Sequence, residues 1–125
     1  MNPGSQKDRF SFSKKERISE KKIIDTLFNN GKKFNNNPFD IRFINQEFKD
    51  DSFSRVLITV SSSRIKSAVK RNLLKRRIKE SYRKNKNIIS NKSLMIAFVY
   101  VSDEILMYSD INDSVIKILK KLSKV

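Results

Sequence analysis

The chain has 125 residues, too few for more than one domain yet enough for a small core. A net charge of +15 and a pI near 10.2 call for a polyanionic partner and say little about fold. With no Cys and no His, the usual structural zinc site, a thiol nucleophile and imidazole acid–base chemistry are excluded.

Residues 1–12 are polar, carry Pro3 and Gly4, and lack the apolar run of a signal peptide. They read as a flexible segment ahead of a single domain over residues 13–125. Within them Arg9-Phe10-Ser11-Phe12 is basic and aromatic, suited to ordering on a nucleic acid. A helix is predicted over residues 20–30, with Ser19 as N-cap, Ile24, Leu27 and Phe28 on its apolar face, and Gly31 as a left-handed C′ residue. Ser13-x-x-Glu16 is a rival capping box for an earlier start. Residues 32–37 read as a basic, Asn-rich loop closed by Pro38, with room for an additional short strand.

Phe39, Ile41 and Phe43 alternate with Asp40, Arg42 and Ile44, the period of a strand with one apolar face. Residues 45–54, including Asp50-Asp51, form a polar turn consistent with a hairpin. Residues 55–61 are then the return strand, with Val56, Ile58 and Val60 alternating against Leu57, Thr59 and Ser61.

Residues 61–86 carry eleven Lys and Arg against one acid, Glu80, and no Gly or Pro, so they can run as one helix. Leu74, Ile78 and Tyr82 fall at i, i+4 and i+8 and form one apolar stripe. Asn72, Lys75 or Arg76, Lys79, Arg83 and Lys86 fall on the opposite face, while Val69 and Leu73 point elsewhere. The ladders Lys75–Lys79–Arg83 and Lys66–Lys70 each set like charges four residues apart, costing roughly a few tenths of a kcal/mol per pair. A polyanion offsets that cost, so nucleic acid is the expected partner rather than solvent alone.

Residues 87–93 connect to the unbroken apolar run 94–101, which predicts a central strand covered on both faces and is far too short to cross a bilayer. A strand, a helix and a strand in succession make this strand parallel to 55–61. After a loop over 102–109, Ile111, Val115, Ile118, Leu119 and Leu122 mark an amphipathic last helix, with Asp110 as N-cap and Lys117, Lys120 and Lys121 towards its end. The order α-β-β-α-β-α predicts an α+β single-domain sandwich, helices packed on a mostly antiparallel sheet.

No catalytic constellation accompanies this frame. Asp40, Asp50, Asp51, Asp103, Glu104, Asp110 and Asp113 are scattered, most of them in predicted turns or caps, rather than converging as a two-metal centre requires. Gly4 and Gly31 are the only glycines, so there is no Gly-rich phosphate loop. Any catalysis must draw its reactive groups from elsewhere.

Residues 68–80, Ala-Val-Lys-Arg-Asn-Leu-Leu-Lys-Arg-Arg-Ile-Lys-Glu, resemble the signature helix of the protein subunit of bacterial ribonuclease P, A-V-x-R-N-R-x-K-R-x-x-R-E. Phe28-Asn29-Asn30-Gly31 resembles the F-x-x-G that ends the family's first helix, and alignable pieces run from about residue 17 to residue 121. Leu73 and Lys79 replace two Arg of the pattern, and residues 61–66 stand where S-K-K-x-G is common.

With no signal peptide and no membrane-length apolar run, a soluble cytoplasmic protein is expected; the resemblance implies a ribonucleoprotein endoribonuclease whose RNA subunit, with bound Mg²⁺, releases the 5′ leader from precursor tRNA. It implies a left-handed strand–helix–strand crossover where the general rule gives a right-handed one. It implies that the signature helix binds the catalytic RNA, a task for which Arg64, Lys70, Arg71, Asn72, Lys75, Arg76, Lys79 and Arg83 are the expected residues, their types being suited to phosphate and sugar contacts. It assigns the leader to a cleft between the first helix and the sheet, with Phe28, Phe39, Arg42, Lys32 and Lys33 offering stacking and charge. Ile24 stands where the family often has Phe, and Arg42 where it often has Tyr, so stacking passes to the guanidinium plane or leader affinity falls. Phe28 and Phe39 suit a core equally well. No catalytic residue, protein-borne metal, membrane or obligate protein partner is expected. The alternative from another class is a non-catalytic RNA-binding module such as a ribosomal or ribosome-associated protein. A DNA-binding regulator would need a helix-turn-helix or dimerisation element, and neither is visible.

Overall fold

The continuous apolar run near the C-terminus is the middle of the sheet. In a computed structural model describing residues 14–45 and 53–125, the elements are α1 (Lys21–Asn30), β1 (Lys32–Asn36), β2 (Phe39–Asn45), β3 (Arg55–Val60), α2 (Ala68–Asn85), β4 (Leu94–Tyr100) and α3 (Tyr108–Leu122). Short 3₁₀ turns lie at Lys14–Glu16 and Lys86–Ile89. The strand order is β1-β2-β4-β3, with β4 antiparallel to β2 and parallel to β3. The fold is α+β with a mixed four-stranded sheet.

β4 carries no charged or amide side chain because it is buried along almost its whole length, with only Val99 half-exposed. Leu94, Ile96, Phe98 and Tyr100 join Phe39, Ile41 and Phe43 of β2 in a core closed by Leu74, Ile78 and Tyr82 of α2 and by Ile111, Val115, Ile118, Leu119 and Leu122 of α3. On the opposite face Met95 and Ala97 pack with Leu27 of α1 and with Ile18. Polar groups stitch α2 to α3: Ser81 Oγ (2.7 Å) and Asn85 Nδ2 (2.9 Å) donate to Asn112 Oδ1, which also accepts from Tyr108 OH (3.3 Å) within α3.

The structure corrects several local expectations. β2 and β3 do not form a hairpin, because β4 lies between them; alternation reveals that each is a strand but not its neighbour. Residues 32–36, read mainly as a loop, take up the additional short strand for which the sequence left room, β1, paired antiparallel with β2 despite its Lys-Asn composition. Gly31 is extended, with φ −72° and ψ 152°, rather than left-handed. Its missing side chain serves close approach instead: a Cβ there would collide with the Leu27 carbonyl oxygen and come within 3.2 Å of that of Phe43.

Caps also shift. Glu20, not Ser19, precedes α1, and its carboxylate accepts from the Ser19 N–H (3.4 Å) and from Arg55 (3.0 Å) instead of capping. Met107 rather than Asp110 stands at the start of α3, leaving Asp110 inside the first turn. α2 begins at Ala68, not near Ser61. Ser61 folds a turn by accepting from the N–H groups of Ser63 (3.1 Å) and Ile65 (3.0 Å), and Ser67 caps the helix by accepting from Lys70 N–H. The Arg9–Phe12 stretch, Ser13 of the rival capping box and Asp50-Asp51 lie outside the described residues. Among those described, no helix is long and apolar enough to cross a membrane.

Candidate nucleic-acid interface

α2 turns Leu74, Ile78 and Tyr82 inward and so displays its basic ladder on the other side. Lys70, Asn72 and Arg76 are exposed and Lys75 and Lys79 half-exposed. Among the described residues, Lys70, Lys75, Arg76 and Lys79 have no ion-pair partner. Four neighbouring cations without a counter-charge raise the local potential, which a polyphosphate chain relieves.

Other predicted members of this face are engaged within the fold. Arg71 donates to the carbonyls of Ile65 and Lys66, both at 2.9 Å, and pins the loop that leads into the helix. Arg64 lies 3.6 Å from Asp103. Arg83 grips Glu80 with two hydrogen bonds of 3.0 and 2.7 Å, which hold the Glu80 carboxyl below its ordinary range. Lys86 is not on the basic face at all: it leaves the helix in the 3₁₀ turn and donates to both carboxylate oxygens of Glu16, at 3.0 and 2.8 Å.

The second candidate surface is the sheet face beside α1. Cross-strand register puts Lys33, Arg42, Ala97 and Leu57 in one row of that face and Asn35, Asp40, Val99 and Thr59 in the next. Arg42 reaches from β2 to α1. Its guanidinium carbon lies 5.2 Å from the centroid of the Phe28 ring, one N–H donates to the Phe28 carbonyl at 3.0 Å, and Asp40 lies 3.7 Å away. Phe28 is half-buried against the α1 side of the core and retains partial exposure.

Two predicted leader contacts do not belong to this face. Phe39 is fully buried on the opposite face, edge-to-face with Phe98 (5.6 Å) and Tyr100 (5.8 Å), and has no surface for a base. Lys32 pairs in register with Phe43 and therefore follows the core-side row, while Lys33 follows Arg42. The sequence reading also missed Leu57, Thr59 and Val99, which are half-exposed on the α1 side. Their signal was the alternate phase of strands whose other phase is strongly apolar.

A family model described as Ribonuclease P matches residues 12–123. The chain is 34% identical over 102 residues to a ribonuclease P protein component of Porphyromonas gingivalis, covering 77% of this chain and 74% of the relative. It is 30% identical over 119 residues to that of Petrotoga mobilis, covering 90% and 95%. Its fold resembles the RNase P protein of Thermotoga maritima, with a TM-score of 0.73 at 24% identity over 85% of this chain and 96% of that one. It also resembles the Staphylococcus aureus RNase P protein, with a TM-score of 0.68 at 24% identity over 88% and 96%.

Proposed function

The chain belongs to the ribonuclease P protein family, and on that premise we propose that it binds the catalytic RNA subunit and the 5′ leader of precursor tRNA to promote endonucleolytic maturation of the tRNA 5′ end. The observation that carries this reading is the unpaired ladder of Lys70, Lys75, Arg76 and Lys79, with Asn72 among them, on a helix whose other side is locked into the core. These side chains contact phosphate and sugar and fix the orientation of the RNA. Arg71 acts one step back, by holding the loop before the helix, and Arg64 and Arg83 add charge at the flanks.

The leader runs over the α1 side of the sheet, where Phe28, Arg42 and Lys33 offer an aromatic edge, a planar cation and a mobile one. The hydrolytic chemistry comes from Mg²⁺ held mainly by the RNA; this chain positions and neutralises phosphates. The setting is the cytoplasm. The test is reconstitution. With its cognate RNA and Mg²⁺ the protein should raise accurate 5′ processing of precursor tRNA at moderate salt, and RNA-free protein should cleave nothing. Cleavage by the protein alone, or no effect on the RNA's activity, would overturn the proposal.

A further inference from the structure

Beyond the ladder, at the C-terminal end of α2, lies a pocket of about 230 Å³ that belongs to neither surface described above. None of its lining residues comes from α1 or from the sheet face that α1 packs against. Half-buried Phe53 offers the pocket an aromatic ring, while Tyr82 and Ile89, 1% and 2% exposed, only back it from the core. Arg83, Lys84 and Lys92 bring positive charge to it, with Glu80 as the carboxylate that Arg83 and Lys84 share and the Val125 backbone oxygen accepting from the Lys92 ammonium. The Glu16–Lys86 pair closes one side and is internally neutral. Exposed Asn87 and Ser90 supply both donors and acceptors.

The chemistry narrows the occupant. An inorganic anion has no use for an aromatic wall, and an apolar ligand gains nothing from three cations. A nucleotide satisfies both, its base on the Phe53 ring and its phosphate on the cations. The volume lies below the roughly 300–1,000 Å³ of drug-sized sites, which suits one base with its sugar and not two stacked bases. Position narrows it further. Arg83 is at once the last member of the α2 ladder and a wall of the pocket, about 16 Å along the helix axis from Asn72 at 1.5 Å per residue. A backbone tracking the ladder is led to the pocket mouth. We infer that this pocket receives a single unstacked nucleotide of the RNA bound along α2, an inference that rests on the RNA-binding reading above.

The test uses the full chain, isotope-labelled, with a short single-stranded oligouridylate and the same oligomer carrying one central abasic residue. The intact oligomer should shift the amide signals of Asn87 and Ser90 together with those of Asn72 and Arg76. The abasic oligomer should bind roughly five- to tenfold more weakly, the loss expected for one modest base–aromatic contact. Ser90→Trp, at an exposed position on the mouth, should produce the same loss and make the abasic change silent. Lys92→Ala, an independent variant, should weaken binding about two- to fivefold and lower the salt slope by about one. Equal affinity for both oligomers, or undiminished binding by Ser90→Trp, would overturn the inference. So would uridine monophosphate filling the pocket at oligomer concentrations, which would assign it to a free nucleotide. If only the Asn72 and Arg76 signals move, the pocket inference falls alone; if neither set moves, it falls together with the RNA-binding reading.

Discussion

Arg42 lies over the ring of Phe28 and donates a 3.0 Å hydrogen bond to the same residue's backbone carbonyl, so one guanidinium fastens α1 to the sheet by two independent contacts. This changes what a substitution there should do. Arg42→Ala removes a cation–π contact and a charged hydrogen bond, and should lower stability by about 1–2 kcal/mol in chemical denaturation. In the reconstituted enzyme it should weaken binding of precursor tRNA by tens-fold at most, roughly the worth of one stack, and leave mature tRNA nearly unaffected. Equal losses on both RNAs would place the leader elsewhere.

The two sides of α2 should separate cleanly in mutagenesis. Arg76→Ala, at an exposed position, should leave the melting temperature unchanged and reduce the salt dependence of RNA binding by about one ion. Ile78→Ala, at a fully buried one, should cost about 2–5 kcal/mol of stability. An unchanged melting temperature in Ile78→Ala together with a steep drop in Arg76→Ala would reverse the assignment of faces.

Lys86 should behave unlike the other cations of its segment. Its side chain is 17% exposed and its ammonium serves Glu16, so Lys86→Gln should destabilise the fold by about 1.5–3 kcal/mol without altering the salt slope of RNA binding. A lowered slope with unchanged stability would mean that Lys86 contacts phosphate after all.

Alkaline stability should depend on Tyr82. Burial raises its phenol above the ordinary value of 10.0, with the Glu16 carboxylate adding to the effect. The folded protein therefore keeps the phenol neutral where the unfolded chain ionises it. The contribution is whole below about pH 10 and is lost as pH rises beyond it. Between about pH 10 and 12 the wild-type chain should lose stability more steeply than Tyr82→Phe, by up to ~1.4 kcal/mol per pH unit. Equal slopes in urea titrations across that range would contradict the assignment.

What could be read from the sequence was what repeats locally. The i, i+4, i+8 stripe of Leu74, Ile78 and Tyr82 and the unbroken run of β4 both sit where their patterns put them. Alternation likewise grouped Phe39, Ile41 and Phe43 on one face, but it has no sign. It could not say that this face receives two helices, which is why Phe39 is core while Phe28 keeps an open edge. Pairings across long separations were beyond reach as well: Glu16 and Lys86 are 70 residues apart, and β2 gives no hint that its partner is β4. Charge composition identified the basic helix, but only geometry distinguishes Arg76, open to solvent, from Arg71, spent on two carbonyls.

The slot between β2 and β3 has a consequence for how the chain is made. During synthesis β1, β2, β3 and α2 all emerge before residue 94, when the strand that joins the two halves of the sheet does not yet exist. Until then β2 and β3 each present an unsatisfied edge, and the apolar stripe of α2 lacks both β4 and α3 to rest against. Closure is dominated by contacts distant in sequence, which slows folding relative to a helical bundle of the same size. For that interval the chain is a polycation with half a core, and like-charge repulsion along the ladder opposes close association of two such copies.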